Sequence, residues 1–244
     1  MILPYLNSLK GKKKAFAWLI DPDKSNDDHI KSQLTVADDY GVDLIFVGGS
    51  LTFKQVDHVI MQIKSLTRIP VVLFPGSPLQ LSSEADAVLL LSLISGRNAE
   101  YLIGNHVIAA PFLKESGLEI IPTGYMLIHG GQQTSVSYMS NTQPIPSDKP
   151  DIALATAMAG EMLGLKTIYL DAGSGALNPV PMNMITPIAS EIDLPVIIGG
   201  GIRASADIRN AYTAGADVVV VGNVVENSQT RLAELIVERD RFNT

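Results

Sequence analysis

The last third of the chain reads KTIYLDAGSGA at 166–176, LPVIIGGGIR at 194–203 and ADVVVVGNVVE at 216–226. Three short β-branched runs each stop at a small-residue cluster: Asp171-Ala172-Gly173-Ser174-Gly175, Gly199-Gly200-Gly201 and Gly222-Asn223. Such clusters expose backbone N–H groups that no side chain shields, and a following helix adds the positive end of its dipole. Both features favour a bound phosphate. Two consecutive glycine-closed strands near the end of a βα-repeating chain mark the usual phosphate site of a (β/α)8 barrel. The competing role for these glycines is to permit tight βα turns; their place at the ends of successive strands favours the cradle. Val224-Val225-Glu226 after Asn223 is consistent with the start of a short extra helix.

The same rhythm recurs from the N-terminus. Phe16 to Ile20 is an apolar run that ends at Asp21-Pro22-Asp23-Lys24, where proline blocks further ladder pairing. A polar, Asp-capped helix is expected over about 26–40. A second strand over 43–47 closes at Gly48-Gly49-Ser50, and a second helix over about 53–66 carries Val56, Val59, Ile60 and Ile63 on one stripe. A third strand over 70–74 ends at Pro75-Gly76-Ser77-Pro78. There the rhythm breaks. Residues 79–86 barely meet the ~10–12 residue minimum of a helical crossover before the next apolar run at 87–91, so the third helix is expected to be shortened or replaced.

Ser95-Gly96-Arg97-Asn98 leads into a helix to about Lys114, which Pro111 is expected to bend or end early. In a fifth strand over 120–128, Pro122 and Gly124 suggest irregular pairing or a bulge. Residues 130–150 turn to Gln, Thr, Ser, Asn and Pro without apolar periodicity, and a loop of about 20 residues in a compact domain is usually functional or mobile. A helix over 151–163 ends at Gly164, a C′ glycine. Further helices are expected at about 182–191, 204–214 and 228–241. Eight strands alternate with roughly seven helices and no linker interrupts them. This is an α/β chain, a single (β/α)8 TIM barrel over residues 1–244 with a modified third helix.

The 244 residues match the ~250 typical of one barrel, and 46% are apolar, enough for a full core. The absence of cysteine fits a reducing, cytoplasmic setting. A formal net charge of −7 argues against nucleic-acid partners, and it requires that local groups or a metal hold any anionic substrate. Residues 1–9 are too short and polar for a signal peptide, and no apolar run reaches the ~18 residues of a membrane span.

Asp21 and Ser50 close the first and second strands, whose ends are neighbours on the catalytic face of a barrel. One carboxylate and one hydroxyl would suit Mg²⁺, which keeps waters and takes substrate phosphate oxygens as further ligands. Asp21 is also placed for an Asx turn before Pro22, and Ser50 for a helix N-cap. Asp171, beside Tyr169, serves either as a general base or hydroxyl partner, or as a cap for the glycine loop after it. His29 and His58 fall within expected helices and His106 in or near one; His129, at a strand end, is better suited to capping its loop than to catalysis. No lysine occupies a strand interior on the catalytic face, which weakens a Schiff-base reading. Walker and GxGxxG patterns after a first strand are also missing.

With these residues in place, the chain resembles the geranylgeranylglyceryl phosphate synthase and heptaprenylglyceryl phosphate synthase family. The matching segments are Trp18-Leu19-Ile20-Asp21-Pro22-Asp23-Lys24, Val47-Gly48-Gly49-Ser50, Phe74-Pro75-Gly76-Ser77-Pro78 and Pro144-Ile145-Pro146 through Lys149-Pro150. Tyr169 through Gly175, Gly199-Gly200-Gly201-Ile202-Arg203 and Val221-Gly222-Asn223 complete the set, which spans about residues 15–226. The resemblance implies a barrel with a modified third helix. It also implies transfer of a prenyl group, with geranylgeranyl diphosphate the leading donor, to the 3-hydroxyl of sn-glycerol 1-phosphate. By resemblance, Asp21 and Ser50 hold Mg²⁺. Tyr169, Leu170, Asp171, Ala172, Gly173, Ser174, Gly175, Gly200, Gly201, Gly222 and Asn223 would hold glycerol phosphate, with Asp171 catalytic.

Two departures stand out. Many members have lysine two residues before the metal aspartate, where this chain has Leu19, and many have glutamate at the position of Asp171. Both match the second subgroup of the family. A prenyl tail needs a long apolar trough, and residues 87–103, including Leu93 and Tyr101, are its candidate wall, with core packing as their other role. The likeness further implies a homo-oligomer, dimeric or hexameric, and transient membrane contact on product release. The rival readings are a barrel isomerase or epimerase acting on a phosphorylated metabolite, which would share the cradle, and a phosphate- or lipid-binding protein without turnover.

Overall fold

The alternation of apolar runs and turn clusters produces eight parallel strands that close on themselves, β1 (Ala15–Ile20), β2 (Leu44–Val47), β3 (Val71–Leu73), β4 (Ala87–Leu93), β5 (Glu119–Leu127), β6 (Thr167–Asp171), β7 (Val196–Gly199) and β8 (Val218–Val221). The computed structural model describes residues 1–24, 27–222 and 229–243. Each strand pairs with the next, and β1 returns to β8 in register Ala15↔Val218 through Trp18↔Val221. Asn223 and the expected helix start at 224–226 lie outside the described residues.

A strand points successive side chains to opposite faces, so period two sorts the residues into two cores. Phe46, Leu89, Tyr125, Tyr169, Ile197 and Val220 fill the barrel interior. Ile45, Val88, Met126, Ile168, Leu170 and Ile198 face outward and pack under the helices. Those helices are α2 (Asp27–Asp39), α3 (Val56–Leu66), α4 (Asn105–Ser116), α6 (Pro150–Met162), α7 (Met182–Glu191), α8 (Ser205–Thr213) and α9 (Gln229–Asn243), with a short α5 (Ser135–Met139) on the rim. Among the described residues no helix is long and apolar enough to cross a membrane.

The N-terminal segment, given no structure by its sequence, is a helix, α1 (Ile2–Leu9). Its Ile2, Leu6 and Leu9 follow helical spacing and join the interior core. Its first amides, on Ile2 and Leu3, donate to the Glu119 carboxylate, and the Tyr5 hydroxyl donates to Asp43 at 2.9 Å. Thus α1 plugs the end of the barrel opposite the glycine clusters.

Between β3 and β4 the expected helix is reduced to one 3₁₀ turn, Pro78–Gln80. Three other stretches take definite form. Pro111 lies inside α4, which runs on to Ser116 after a turn of π-helix at Glu100–Gly104; Leu113, beyond the proline, is buried. Strand β5 is regular, paired residue for residue with β4 from Ala87↔Glu119 to Leu93↔Tyr125. Pro122 precedes the β6 ladder, which starts at Thr123↔Thr167, and its carbonyl accepts the Lys166 N–H. Gly124 marks a close approach: a Cβ there would sit 2.7 Å from Ile168 Cδ1 and 2.9 Å from Ile94 Cδ1. Residues 130–150 are also built rather than open. The Ser137 hydroxyl accepts the Thr134 N–H at 3.1 Å and donates to the Thr134 carbonyl at 2.8 Å, tying down the start of α5, and Ile128 bridges Ile145. Gly164 takes the left-handed conformation expected of a C′ residue, at φ 86°.

Candidate active site

Period two on β6 turns Tyr169 inward and Leu170 outward, so Asp171 points back into the barrel at its C-terminal mouth. There a cavity of about 600 Å³ is lined by Asp21, Ser50, Tyr169, Asp171, Ser174, Gly175, Gly200, Gly201 and Gly222, all expected at the site. Leu170 and Ala172 pack in the outer core instead, and the Gly173 amide is taken by Asp171, so these three contribute framework rather than cavity wall. Asn223 lies outside the described residues.

The cradle depends on backbone approach. Gly200 and Gly201 have φ of 77° and 70°, and a Cβ on Gly200 would lie 2.4 Å from both Asp171 Oδ1 and the Gly173 nitrogen. A side chain at either position would strain the backbone. Tyr169 is accommodated in the same way, its hydroxyl occupying the space a Cβ on Gly199 would need.

Asp171 is buried and accepts two short hydrogen bonds, from the Tyr125 hydroxyl to Oδ2 and from the Gly173 N–H to Oδ1, both 2.6 Å. The loop-capping role is therefore real, and it sits beside a second feature. Burial raises the pKa of Asp171 above the ordinary carboxylate value, and the two hydrogen bonds only partly offset it. Burial, followed by the nearby Asp171 charge, also pushes the Tyr125 and Tyr169 phenols well up, so both stay protonated and Tyr125 acts as a donor. Phe74 stacks on Tyr169 at 5.1 Å and meets Tyr125 edge-on at 5.8 Å, which fixes both rings. Sequence reading gave Tyr125 no role and named Phe74 only as part of a family-like segment. Their signal was slight: inward-facing aromatic residues at the C-terminal ends of β5 and β3.

On the opposite rim, Asp21 makes the Asx turn, its Oδ1 accepting the Asp23 N–H at 3.1 Å, while Oδ2 lies 2.9 Å from Lys24 Nζ. Asp23 accepts backbone N–H groups from Phe53 and Lys54, tying the β1 loop to the loop after β2. Ser50 is not a helix cap, since α3 starts at Val56 after Gln55. The nearly buried Gln80 holds this loop. Its Oε1 accepts the Gly76 N–H and its Nε2 donates to the Gly49 carbonyl, both at 2.9 Å. Among the described residues no three His, Cys, Asp or Glu side chains form a metal cage. The donor set at Asp21 and Ser50 fits a cation that completes its shell with water and phosphate oxygens, as Mg²⁺ does.

A second, apolar cavity runs between the 75–81 segment, β4 and α4. Leu93 and Tyr101 both line it, together with Leu81, Leu90, Leu91 and Ala109; Leu93 is also buried in the interior core, with Tyr101 packed against it. The Tyr101 hydroxyl donates to the Met139 carbonyl at 3.2 Å. Gly49, Ser50, Phe74, Tyr125 and Val136 line both cavities, so the two are neighbours that meet at these residues. His129 is exposed, with its Nδ1 accepting the Gly131 N–H, a loop cap as expected.

The model of the PcrB family matches residues 9–239. The chain belongs to the PcrB family. Within it, the chain is 53% identical over 232 residues to the geranylgeranylglyceryl phosphate synthase of Spirosoma linguale, covering 95% of this chain and 93% of that one. It is 55% identical over 226 residues to the enzyme of the same name from Chitinophaga pinensis, covering 91% and 88%. Its fold matches the crystal structure of (S)-3-O-geranylgeranylglyceryl phosphate synthase from Thermoplasma acidophilum in complex with substrate sn-glycerol-1-phosphate. That match has a TM-score of 0.93, 32% identity and 99% coverage of both chains. The PcrB assignment accords with the family resemblance drawn from the seven sequence segments, and the barrel with its reduced third helix is the fold those segments implied.

Proposed function

We propose that the protein joins a prenyl diphosphate, with geranylgeranyl the expected group, to the 3-hydroxyl of sn-glycerol 1-phosphate. An ether bond forms between the glycerol oxygen and the allylic carbon. The allylic C–O bond breaks, diphosphate leaves with the electron pair, and the hydroxyl proton is released. The observation that carries this reading is the junction of the two cavities: a phosphate cradle and an apolar trough meet at Ser50, Phe74 and Tyr125. An isomerase of a small phosphorylated metabolite has no use for the trough. The names of the PcrB relatives support the same activity.

The glycine cradle fixes the acceptor's phosphate so that its hydroxyl meets the allylic carbon as a neighbour rather than by collision. Asp171, with Tyr125 and Gly173 fixing its carboxylate, orients that hydroxyl and takes its proton. Asp21 and Ser50 would hold Mg²⁺, which when bound neutralises charge on the departing diphosphate. The apolar lining of the trough receives the prenyl tail and keeps water from it.

The decisive assay incubates the protein with geranylgeranyl diphosphate, sn-glycerol 1-phosphate and Mg²⁺ and follows the lipid product. Product is expected; its absence would favour a phosphometabolite isomerase on the same fold. Asp21→Ala is expected to abolish Mg²⁺-dependent turnover while leaving the circular dichroism spectrum intact. Near-normal transfer by that variant at saturating Mg²⁺ would remove Asp21 from the metal site.

A further inference from the structure

A donor diphosphate and an acceptor phosphate bring several negative charges into a cavity whose described lining already contains the carboxylates Asp21, Asp23 and Asp171. Among the described residues, two cationic side chains, Lys24 and Arg203, line the same cavity. They sit at different places. Arg203 reaches the carbonyls of Ala176 at 2.7 Å and Leu177 at 3.3 Å, beside the glycine cradle. Lys24 stands on the Asp21 rim, with Nζ 2.9 Å from Asp21 Oδ2 and its side chain 45% exposed.

The backbone explains why lysine reaches this spot. Pro22 and the Asx turn of Asp21 fold the chain back so that the Lys24 amide donates to the Asp21 carbonyl at 3.2 Å. Asp23 points away to the Phe53 and Lys54 amides, and the next side chain, that of Lys24, projects over the mouth. Two residues before Asp21 the chain presents Leu19, which lines the same cavity with an apolar group. On the Asp21 side, therefore, the positive charge comes from the turn after β1 and not from the strand itself.

We infer that Lys24 is a binding residue for the diphosphate of the prenyl donor, its ammonium moving from the Asp21 carboxylate to the diphosphate oxygens as the donor enters. This rests on the prenyl-transfer reading above and adds a residue to it. An ammonium on a flexible stem is suited to such a move, since its three donors reorient at little cost. Its proximity to Asp21 lets the lysine share the diphosphate with the cation expected there, each offsetting charge the other leaves.

The test separates Lys24 from both metal and turnover. Inorganic pyrophosphate is titrated calorimetrically, in EDTA, into the intact wild type, Lys24→Gln and Lys24→Arg, and sn-glycerol 1-phosphate is titrated in parallel. Loss of one charge-assisted contact is expected to weaken pyrophosphate binding by about tenfold in Lys24→Gln. Lys24→Arg should recover most of it, with glycerol 1-phosphate affinity unchanged throughout. A double variant, Leu19→Lys with Lys24→Gln, restores a cation from the strand and is expected to regain pyrophosphate binding. Equal pyrophosphate affinity in wild type and Lys24→Gln, or parallel loss of both ligands, would overturn the assignment. Wild type that turns over both substrates while Lys24→Gln keeps an unchanged KM for the donor refutes Lys24 alone. Wild type without turnover refutes the underlying activity.

Discussion

Asp171 is held between two requirements. Burial disfavours its charge, while the Tyr125 hydroxyl and the Gly173 amide favour it, and burial prevails, so its pKa lies above the ordinary carboxylate range. A base must be ionised to accept a proton, so turnover should fall as the pH drops through this raised value. The acid limb of the kcat/KM profile is therefore expected above the usual carboxylate range. Tyr125→Phe removes a bond that favours the ionised form, so it should move that limb to still higher pH; a limb that stays in place would uncouple the pair. Asp171→Asn should lower kcat by about 10²-fold or more with little change in donor KM, and an unchanged kcat would reduce Asp171 to its loop-capping bond. The carboxylate was legible in the sequence because it ends an apolar run before a glycine cluster. Its partner was not. Tyr125 lies 46 positions away, and only the β5–β6 register brings the two together.

At the scale of elements, the sequence shows where a side chain is missing but not what fills the space. Gly124 therefore reads as a possible bulge, whereas the structure shows the terminal methyls of Ile168, Ile94 and Leu165 pressed against it. A Cβ on Gly160 of α6 would lie 3.2, 2.9 and 3.2 Å from the same three side chains, so the two glycines form one contact between α6 and β5. The outcomes of adding a methyl differ. Gly124→Ala has overpacking to set against any gain and should destabilise by about 1–3 kcal/mol. Gly160→Ala also overpacks, but it replaces a helix-interior glycine and regains ~1 kcal/mol of helix propensity, so its net change should be smaller. Urea midpoints of the two variants check the order; a larger loss at Gly160 would mean that α6 yields less readily than the strand. The same limit applies to α1. Ile2, Leu6 and Leu9 have helical spacing, yet a nine-residue stretch bordered by lysines does not show that a barrel floor waits for it. Strand ends and glycine clusters, by contrast, were legible because backbone conformation restricts them locally.

For the whole molecule, one missing helix leaves an apolar cavity beside the polar one, and the proposed amphipathic donor depends on that pairing. A full helix between β3 and β4 would cover the outward face of Val88 and Leu90. The single turn Pro78–Gln80 leaves that face open to a trough closed on its far side by α4. The polar end of the trough is held by Gln80, which ties the same turn to the Ser50 loop. The interruption that disturbs the βα rhythm thus both opens the apolar cavity and braces the Ser50 loop. The sequence showed the interruption through the shortness of residues 79–86, but not how far the trough extends, because that depends on which face of α4 turns inward. Ala109 is on that face, nearly buried and in the trough wall. Ala109→Phe adds a ring where a methyl now packs, at an overpacking cost of about 1–3 kcal/mol that leaves a fold of this size standing. It is expected to lower kcat/KM for geranylgeranyl diphosphate by about tenfold or more, to affect geranyl diphosphate much less, and to leave the KM for glycerol 1-phosphate unchanged. Paired turnover assays with the two donors measure the ratio. Equal losses for both chain lengths would place the tail elsewhere than along α4.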